Sequence, residues 1–359
     1  MKRAIVIDWL DKYGGAERVI SVLNKEYHFD QIYTLINIMS EHDLKKICQL
    51  DSPVVNTTFL QKTGKFFRAF FPFFPFFIKK LKVDNDIDLI ISSSHCVAKG
   101  INKSRDNQIH FCYFQARNFK YVWEEAPLYF GKFSTLLAPL LRFLQKIDVE
   151  QAKQPDYIIA NSKFVQNWIK EQYNRDSIVI YPPVDIHNFK LCENKEDYYV
   201  TVGRLVEYKR FDVIIEAFNT NKKKLIVIGD GKMKSKLQKM AHSNIEFKGF
   251  LESAEINNII SKAKGFIHAG IEDFGIAPIE AQACGTPVLA FGKGGVLETV
   301  IDSETGVFFH EQNPESLNNA IEIFESLTFN KAAIRQNALR FSPENFISQM
   351  NSYLNEKMV

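Results

Sequence analysis

HAGIEDFGIAPIEAQACGTPVLA, residues 268 to 290, is the stretch whose reading decides the fold. An apolar strand ends near His268, and Glu272-Asp273-Phe274-Gly275 forms a turn. A helix is predicted from about Ile276, with Pro278 tolerated in its first turn. Val288–Phe291 then reads as the next strand. Strand, turn, helix and strand in close succession are the building unit of a parallel sheet. The free N–H groups at such a helix start, with Gly275 allowing close approach, suit a diphosphate. Glu280 lies one turn inside the helix and Glu272 on the loop before it, so the two carboxylates can address different parts of one extended ligand. Glutamates that merely cap and solubilise a helix are the plainer alternative. The combination of acidic loop, Gly, Pro and Ala-Cys-Gly ending favours the ligand.

The same alternation continues outward. Tyr198–Leu205, Leu225–Ile228, Ile245–Phe250, Gly265–His268 and Gly306–Phe309 read as strands, separated by segments of helical spacing such as Arg210–Phe218 and Ala254–Ala263. In the N-terminal half, Ala4–Ile7, Gln31–Leu35, Leu89–Ser92, His110–Phe114, Tyr157–Ala160 and Ile178–Tyr181 repeat the theme. This is the pattern of an α/β protein with doubly wound parallel sheets. The prolines of Tyr181-Pro182-Pro183-Val184-Asp185 fix φ and remove donors, which suits a stiff hinge between domains. The chain's 359 residues also exceed what one core usually serves. Two domains are therefore expected, 1–184 and 185–341, with a cleft at the carboxyl ends of their strands.

Composition narrows the function. The five cysteines are scattered and show no CxxC spacing, against a disulfide framework or zinc site and in keeping with a reducing cytosol. A net charge of +3 gives no reason to expect nucleic acid. The N-terminal apolar run is too short for a signal peptide and reads as a first buried strand. No run of about twenty apolar residues offers a bilayer span. Asp84-Asn85-Asp86 has the look of a metal motif, but it follows a lysine-rich stretch and precedes a strand, so it reads as a solvated turn. Gly14-Gly15-Ala16-Glu17-Arg18 is not a dinucleotide fingerprint, although a Gly pair opening a helix can receive phosphate.

Taken with Val202-Gly203-Arg204-Leu205-Val206-Glu207-Tyr208-Lys209, the Glu272/Glu280 stretch resembles the retaining GT-B enzymes called glycosyltransferase family 4, or glycosyl transferases group 1. The resemblance is tightest between Val202 and Gly306. It implies that Glu280 binds the ribose hydroxyls of a nucleoside diphosphate sugar and that Glu272 contacts the donor sugar. The amides around Phe274, Gly275 and Ile276 would hold sugar and diphosphate. Arg204 and Lys209 would grip the diphosphate, where fixed cations stabilise the charge built as the leaving group departs. That makes a metal unnecessary, and no cofactor is expected beside the donor. Gly249 and Phe250 would face the nucleobase, and Gly14 and Gly15 would line the cleft from the N-terminal domain. Gly294-Gly295…Glu298 resembles the family's GG-x-x-E element, its glycines approaching the donor. The final helix, within 342–359, would pack back toward the N-terminal domain.

Ser92-Ser93-Ser94-His95 resembles stretches of a subgroup that builds bacterial surface polysaccharides, which implies contact between His95 and the donor sugar or its phosphate. A lone histidine satisfied within the structure is the bland alternative. Gln115-Ala116-Arg117-Asn118-Phe119-Lys120-Tyr121-Val122-Trp123 keeps the subgroup's Tyr and Trp but has Gln in place of His, which weakens any inference to a mannosyl donor.

Thirty-one phenylalanines are present, and eight of them fall between Phe66 and Phe77. Residues 62–82 also hold six Lys or Arg and no acid. Such a segment is expected to dip aromatic side chains into a lipid interface while its cations meet anionic headgroups. The expectation is a metal-independent, retaining hexosyltransferase in surface-glycan biosynthesis, such as lipopolysaccharide or capsule. It would carry a hexose from a nucleoside diphosphate sugar, GDP-mannose among the candidates, to a lipid-linked or polysaccharide acceptor. It would be cytoplasmic and peripheral at the inner face of the membrane. The rivals are a nucleotide-sugar epimerase or hydrolase of the same fold, and a noncatalytic membrane-bound nucleotide-sugar sensor.

Overall fold

A computed structural model describes residues 1–48, 54–120, 122–124 and 126–358. The chain divides into two compact units, Met1–Pro183 with Phe346–Val359, and Val184–Asn345. Both are parallel α/β sheets, in agreement with the sequence reading.

The first unit holds β1 (Lys2–Ile7), β2 (Gln31–Thr34), β3 (Val54–Asn56), β4 (Ile87–Ser94), β5 (Ile109–Phe114), β6 (Tyr157–Ala160) and β7 (Ile178–Val179), in the order β3-β2-β1-β4-β5-β6-β7. Its central strands are largely buried and carry apolar runs at Ala4–Ile7, Leu89–Ile91 and Phe111–Phe114, as covered parallel strands should. The three-residue edge strand β3 has no apolar run, and pattern reading missed it. The helix Pro343–Met358 completes this unit, with Phe346, Met350 and Leu354 buried among Ile5, Ile20 and Tyr113. Tyr27 Oη donates to Asn351 Oδ1 at 2.8 Å on the same contact. The Asp84–Asp86 turn is solvated and tied locally: Gln31 Nε2 donates to Asp84 at 2.8 Å, and Lys2 pairs with Asp86 at 2.5 Å.

The second unit holds β8 (Glu196–Val202), β9 (Leu225–Ile228), β10 (Ile245–Gly249), β11 (Ala263–His268), β12 (Val288–Phe291) and β13 (Gly306–Phe309). Their order is β10-β9-β8-β11-β12-β13, all parallel. Leu225–Ile228, Val288–Phe291 and Gly306–Phe309 match their expected bounds and the helix Ile276–Ala283 its expected start; most others differ by a residue or two. The helix Lys331–Leu339, capped by the Asn330 side chain, escaped the reading.

Candidate functional site

In the second unit the chain leaves β8 toward β9 and β10, then returns on the other side at β11. The switch point between β8 and β11 is where open sheets of this kind bind ligands. The loop after β8 carries Arg204 and Lys209, and the loop after β11 carries Glu272. Lys209 Nζ and Glu272 Oε1 form an ion pair across that point, each side chain about one-fifth exposed (18% and 19%). Arg204 is exposed and donates to Tyr208 Oη in its own loop at 3.4 Å. Gln312 joins the two loops from β13's side: it accepts from Arg210 Nη1 at 2.8 Å and donates to the Ala269 carbonyl at 2.7 Å.

Local chemistry explains how Glu272 is presented. Gly275 caps the following helix at φ 89°, a left-handed conformation that glycine adopts without strain. The Phe274 side chain turns inward, edge-on to Phe341 with centroids 5.5 Å apart, so the segment contributes backbone rather than that ring. Glu280 stands half-buried one turn inside the helix. Gly294 and Gly295 are themselves buried beneath the 272–274 loop, and Gly295 N donates to the Glu272 carbonyl at 2.9 Å. A Cβ on Gly295 would come within 2.4 Å of the Asp273 carbonyl oxygen. These glycines therefore support the acidic loop from below. Gly249 ends the edge strand at φ 71°, with Phe250 three-quarters exposed beyond it.

His268, used in the sequence only to end a strand, is buried next to the pair. Burial lowers its pKa; Glu272 opposes that shift and Lys209 adds to it. Its Nε2 has no hydrogen-bond partner among the described residues. A polar ring at the carboxyl end of a central strand was the signal that could have found it.

The first unit has its own switch point, between β1 and β4. Asp8, absent from the sequence reading, is fully buried there. Its carboxylate accepts from the backbone N–H of His95 (2.7 Å), Cys96 (3.0 Å), Val97 (2.5 Å) and Ala98 (2.7 Å). His95 Nδ1 lies 3.1 Å from the same carboxylate, and its ring stands edge-on to Trp9 at 4.5 Å. The serines before it are anchored in turn: Ser92 to His110 Nε2 (2.7 Å), Ser93 to Gln115 Nε2 (2.9 Å), Ser94 to Asn118 Nδ2 (3.1 Å). Below the loop, buried Lys99 donates to Asp148 Oδ1 at 2.5 Å, and Asp148 Oδ2 accepts from Trp123 (2.8 Å) and Tyr173 (2.6 Å). Tyr121, from the Gln115–Trp123 motif, lies outside the described residues. Gly14 caps the helix Gly15–Tyr27 after β1. The Glu17 carboxyl lies over that cap, its pKa raised by burial and lowered in part by its own N–H and nearby His95. The structure thus brings Lys209, Glu272 and Arg204 to one switch point, and Gly14, Gly15 and His95 to the other.

The two parallel α/β domains have the GT-B fold. Solved chains that share it include Anabaena Alr3699/HepE in complex with UDP (TM-score 0.72, 19% identity, covering 99% of this chain and 100% of that one). The lipopolysaccharide outer core galactosyltransferase WaaB gives a TM-score of 0.67 at 17% identity, covering 99% and 100%. Residues 185–341 match the family described as Glycosyl transferases group 1. Among curated relatives, the chain is 32% identical over 173 residues to the uncharacterized glycosyltransferase MJ1178 of Methanocaldococcus jannaschii (46% of this chain, 48% of that one). It is 28% identical over 232 residues to the O-antigen chain mannosyltransferase RfbU of Salmonella typhimurium (60% and 63%). The chain spans about half the length of the first curated relatives it matches. The second unit is thus similar to the group 1 glycosyl transferases, and the solved chains show the shared fold.

Proposed function

We propose that this protein is a retaining, metal-independent glycosyltransferase that moves a hexose from a nucleoside diphosphate sugar to a lipid-linked or polysaccharide acceptor in bacterial surface-glycan synthesis. The observation that carries the reading is the Lys209–Glu272 pair across the β8/β11 switch point, with Arg204 in the same loop. A carboxylate and an ammonium side by side suit the two halves of the donor: hydroxyls of the sugar on Glu272, diphosphate oxygens on Lys209 and Arg204. Glu280 clamps the ribose, the amides of Phe274, Gly275 and Ile276 hold the diphosphate, and Gly249 with Phe250 meets the base. Gly14, Gly15 and His95 act on the donor from the first unit. The acceptor hydroxyl attacks the anomeric carbon on the face the diphosphate leaves. A leaving phosphate oxygen takes the hydroxyl proton, and Lys209 and Arg204 stabilise the charge that develops.

RfbU is named a mannosyltransferase, which makes GDP-mannose the first donor to try. HepE was solved with UDP-glucose, which makes UDP-glucose the second. No described helix is long and apolar enough to cross a membrane; residues 62–82, basic and aromatic, are proposed to hold the enzyme at the cytoplasmic face of an anionic bilayer.

A thermal-shift panel of GDP, UDP, ADP and dTDP sugars tests the donor reading, because a ligand that binds only the folded state raises its melting temperature. A shift with one base is expected; silence across the panel would sink the proposal. Proton NMR of the product's anomeric centre, with and without EDTA, tests retention and metal independence.

A further inference from the structure

We infer that the lipid-facing surface is built from two separate segments, the second being 130–146. This rests on the membrane reading of 62–82. The first segment divides its aromatics by face. Phe67, Phe74 and Ile78 enter the core, whereas Phe66, Phe70, Phe73 and Phe76 point to solvent, Phe66 being 81% exposed. Beside it runs a second helical stretch, Gly131–Ser134 followed after one turn by Ala138–Gln151. Leu137, Leu141 and Leu144 face the core. On the opposite side, Phe133, Leu136, Leu140 and Phe143 are exposed, Leu136 at 77%. Their spacing of three, four and three places them on one face. A helix lying on a core and otherwise in water needs only the first of these stripes.

The two segments are neighbours. Phe71 stacks on Phe130 with centroids 5.6 Å apart, and Gln151 Nε2 donates to the Pro75 carbonyl at 2.9 Å. Their exposed phenylalanines and leucines make an apolar area larger than scattered surface residues would. Within the two segments the charge has one sign, Asp11 meeting Arg68 from outside them at 2.5 Å. Lys62, Lys65, Lys79, Lys80, Arg142 and Lys146 are exposed, and no Asp or Glu occurs in 54–83 or in 126–147. A second copy of this face would bring like charges together, which opposes self-association. An anionic bilayer matches both the cations and the apolar tips.

The test is co-sedimentation of the full chain with vesicles of equal parts phosphatidylglycerol and phosphatidylcholine, and with phosphatidylcholine alone. Wild type is expected to bind the anionic vesicles in preference. Leu136→Ser with Phe143→Ser, and separately Phe66→Ser with Phe70→Ser, should each lower the partition coefficient by about tenfold or more. All four side chains are exposed, so circular dichroism and melting temperature should hold. If the 136/143 variant binds like wild type while the 66/70 variant loses binding, the second segment is refuted and the single-segment reading stands. If wild type ignores both vesicles, the membrane reading falls and takes the inference with it. A lipid-free dimer, seen by light scattering and abolished in the 136/143 variant, would overturn it in favour of a contact between copies.

Discussion

The two switch points have the same topology and spend charge in opposite ways. In the first unit an acid, Asp8, is fully buried and its partners are mainly backbone N–H groups of the 95–98 turn. In the second, an acid, Glu272, is partly exposed and its partner is the flexible Lys209 side chain. Backbone partners cannot leave without unfolding the turn, so Asp8 defines a shape. A lysine can exchange one anion for another, so the Glu272 loop can trade partners with a ligand. One switch point is a rigid platform and the other a grip.

The sharpest way to break that contrast is Asp8→Ala. It removes the acceptor for four N–H groups in a buried turn; each stranded donor costs about 1–3 kcal/mol, so a loss of at least about 3 kcal/mol is expected. Urea denaturation followed by tryptophan fluorescence would measure it. An unchanged midpoint would mean the turn holds itself. The counterpart in the second unit is Glu272→Ala or Lys209→Ala. Because each side chain is only about one-fifth exposed, removing either leaves the other largely desolvated and unpaired, and stability should fall by about 1–3 kcal/mol. Turnover should fall by about 10²–10³, the scale of losing one transition-state charge contact. Glu280→Ala should instead act mainly on donor KM. Equal, mild effects at all three positions would remove the distinction between a sugar contact and a ribose clamp.

Beneath the grip, Gly295→Ala should cost roughly 1–3 kcal/mol, the range for forced overpacking. Its Cβ would sit 2.4 Å from the Asp273 carbonyl oxygen and 2.5 Å from Phe274 Cα. The acidic loop must shift, so turnover should fall together with the melting temperature. A variant that melts like wild type would show that the loop has room to move.

What was legible in the sequence follows the same divide. The second unit's elements could be read because each is local: a buried parallel strand is a short apolar run, and its helix begins at a recognisable turn. Glu272, Glu280, Arg204 and Lys209 sit next to those signals. Asp8 could not be read as it stands, because its role comes from a turn 87 to 90 residues away that meets it only after β1 and β4 pair. The Lys99–Asp148 pair is likewise invisible, being two ordinary charges 49 residues apart. His268 was masked by serving as a strand's last residue. In the aromatic segment the composition was legible but not its division: burial assigns Phe67 and Phe74 to the core, and no count of phenylalanines separates them from Phe66.

The platform should also betray itself in acid. Burial pushes the His110 pKa down to about 3, against an ordinary value of 6.5, while its Nε2 meets Ser92 under the 92–95 segment. Between those values the unfolded chain takes a proton that the folded state refuses. Stability is therefore full above pH 6.5 and falls as the pH drops toward 3. At pH 5 the loss from this group should be about 2 kcal/mol. His110→Gln should flatten that part of the profile, measured by urea midpoints at pH 7 and pH 5. An identical slope in the variant would assign the acid sensitivity to other groups.

The smallest effect is expected at the other glycine pair. A Cβ on Gly14 would meet only the tip of the Glu17 side chain, at 3.2 Å, and the residue's φ of −153° is open to any side chain. Gly14→Ser would create Ser-x-x-Glu at a helix start, a capping box in which each side chain serves the other's backbone N–H. Stability should therefore hold or rise by a few tenths of a kcal/mol. If the pair receives donor phosphate, the new hydroxyl takes up the helix-start N–H groups and donor KM should increase with the fold intact. The predicted outcome is an unchanged melting temperature with weaker donor binding in a titration of the nucleotide sugar. Unchanged affinity would leave Gly14 as the tight turn that opens a helix, and the whole diphosphate grip would then belong to Lys209, Arg204 and the amides after Glu272.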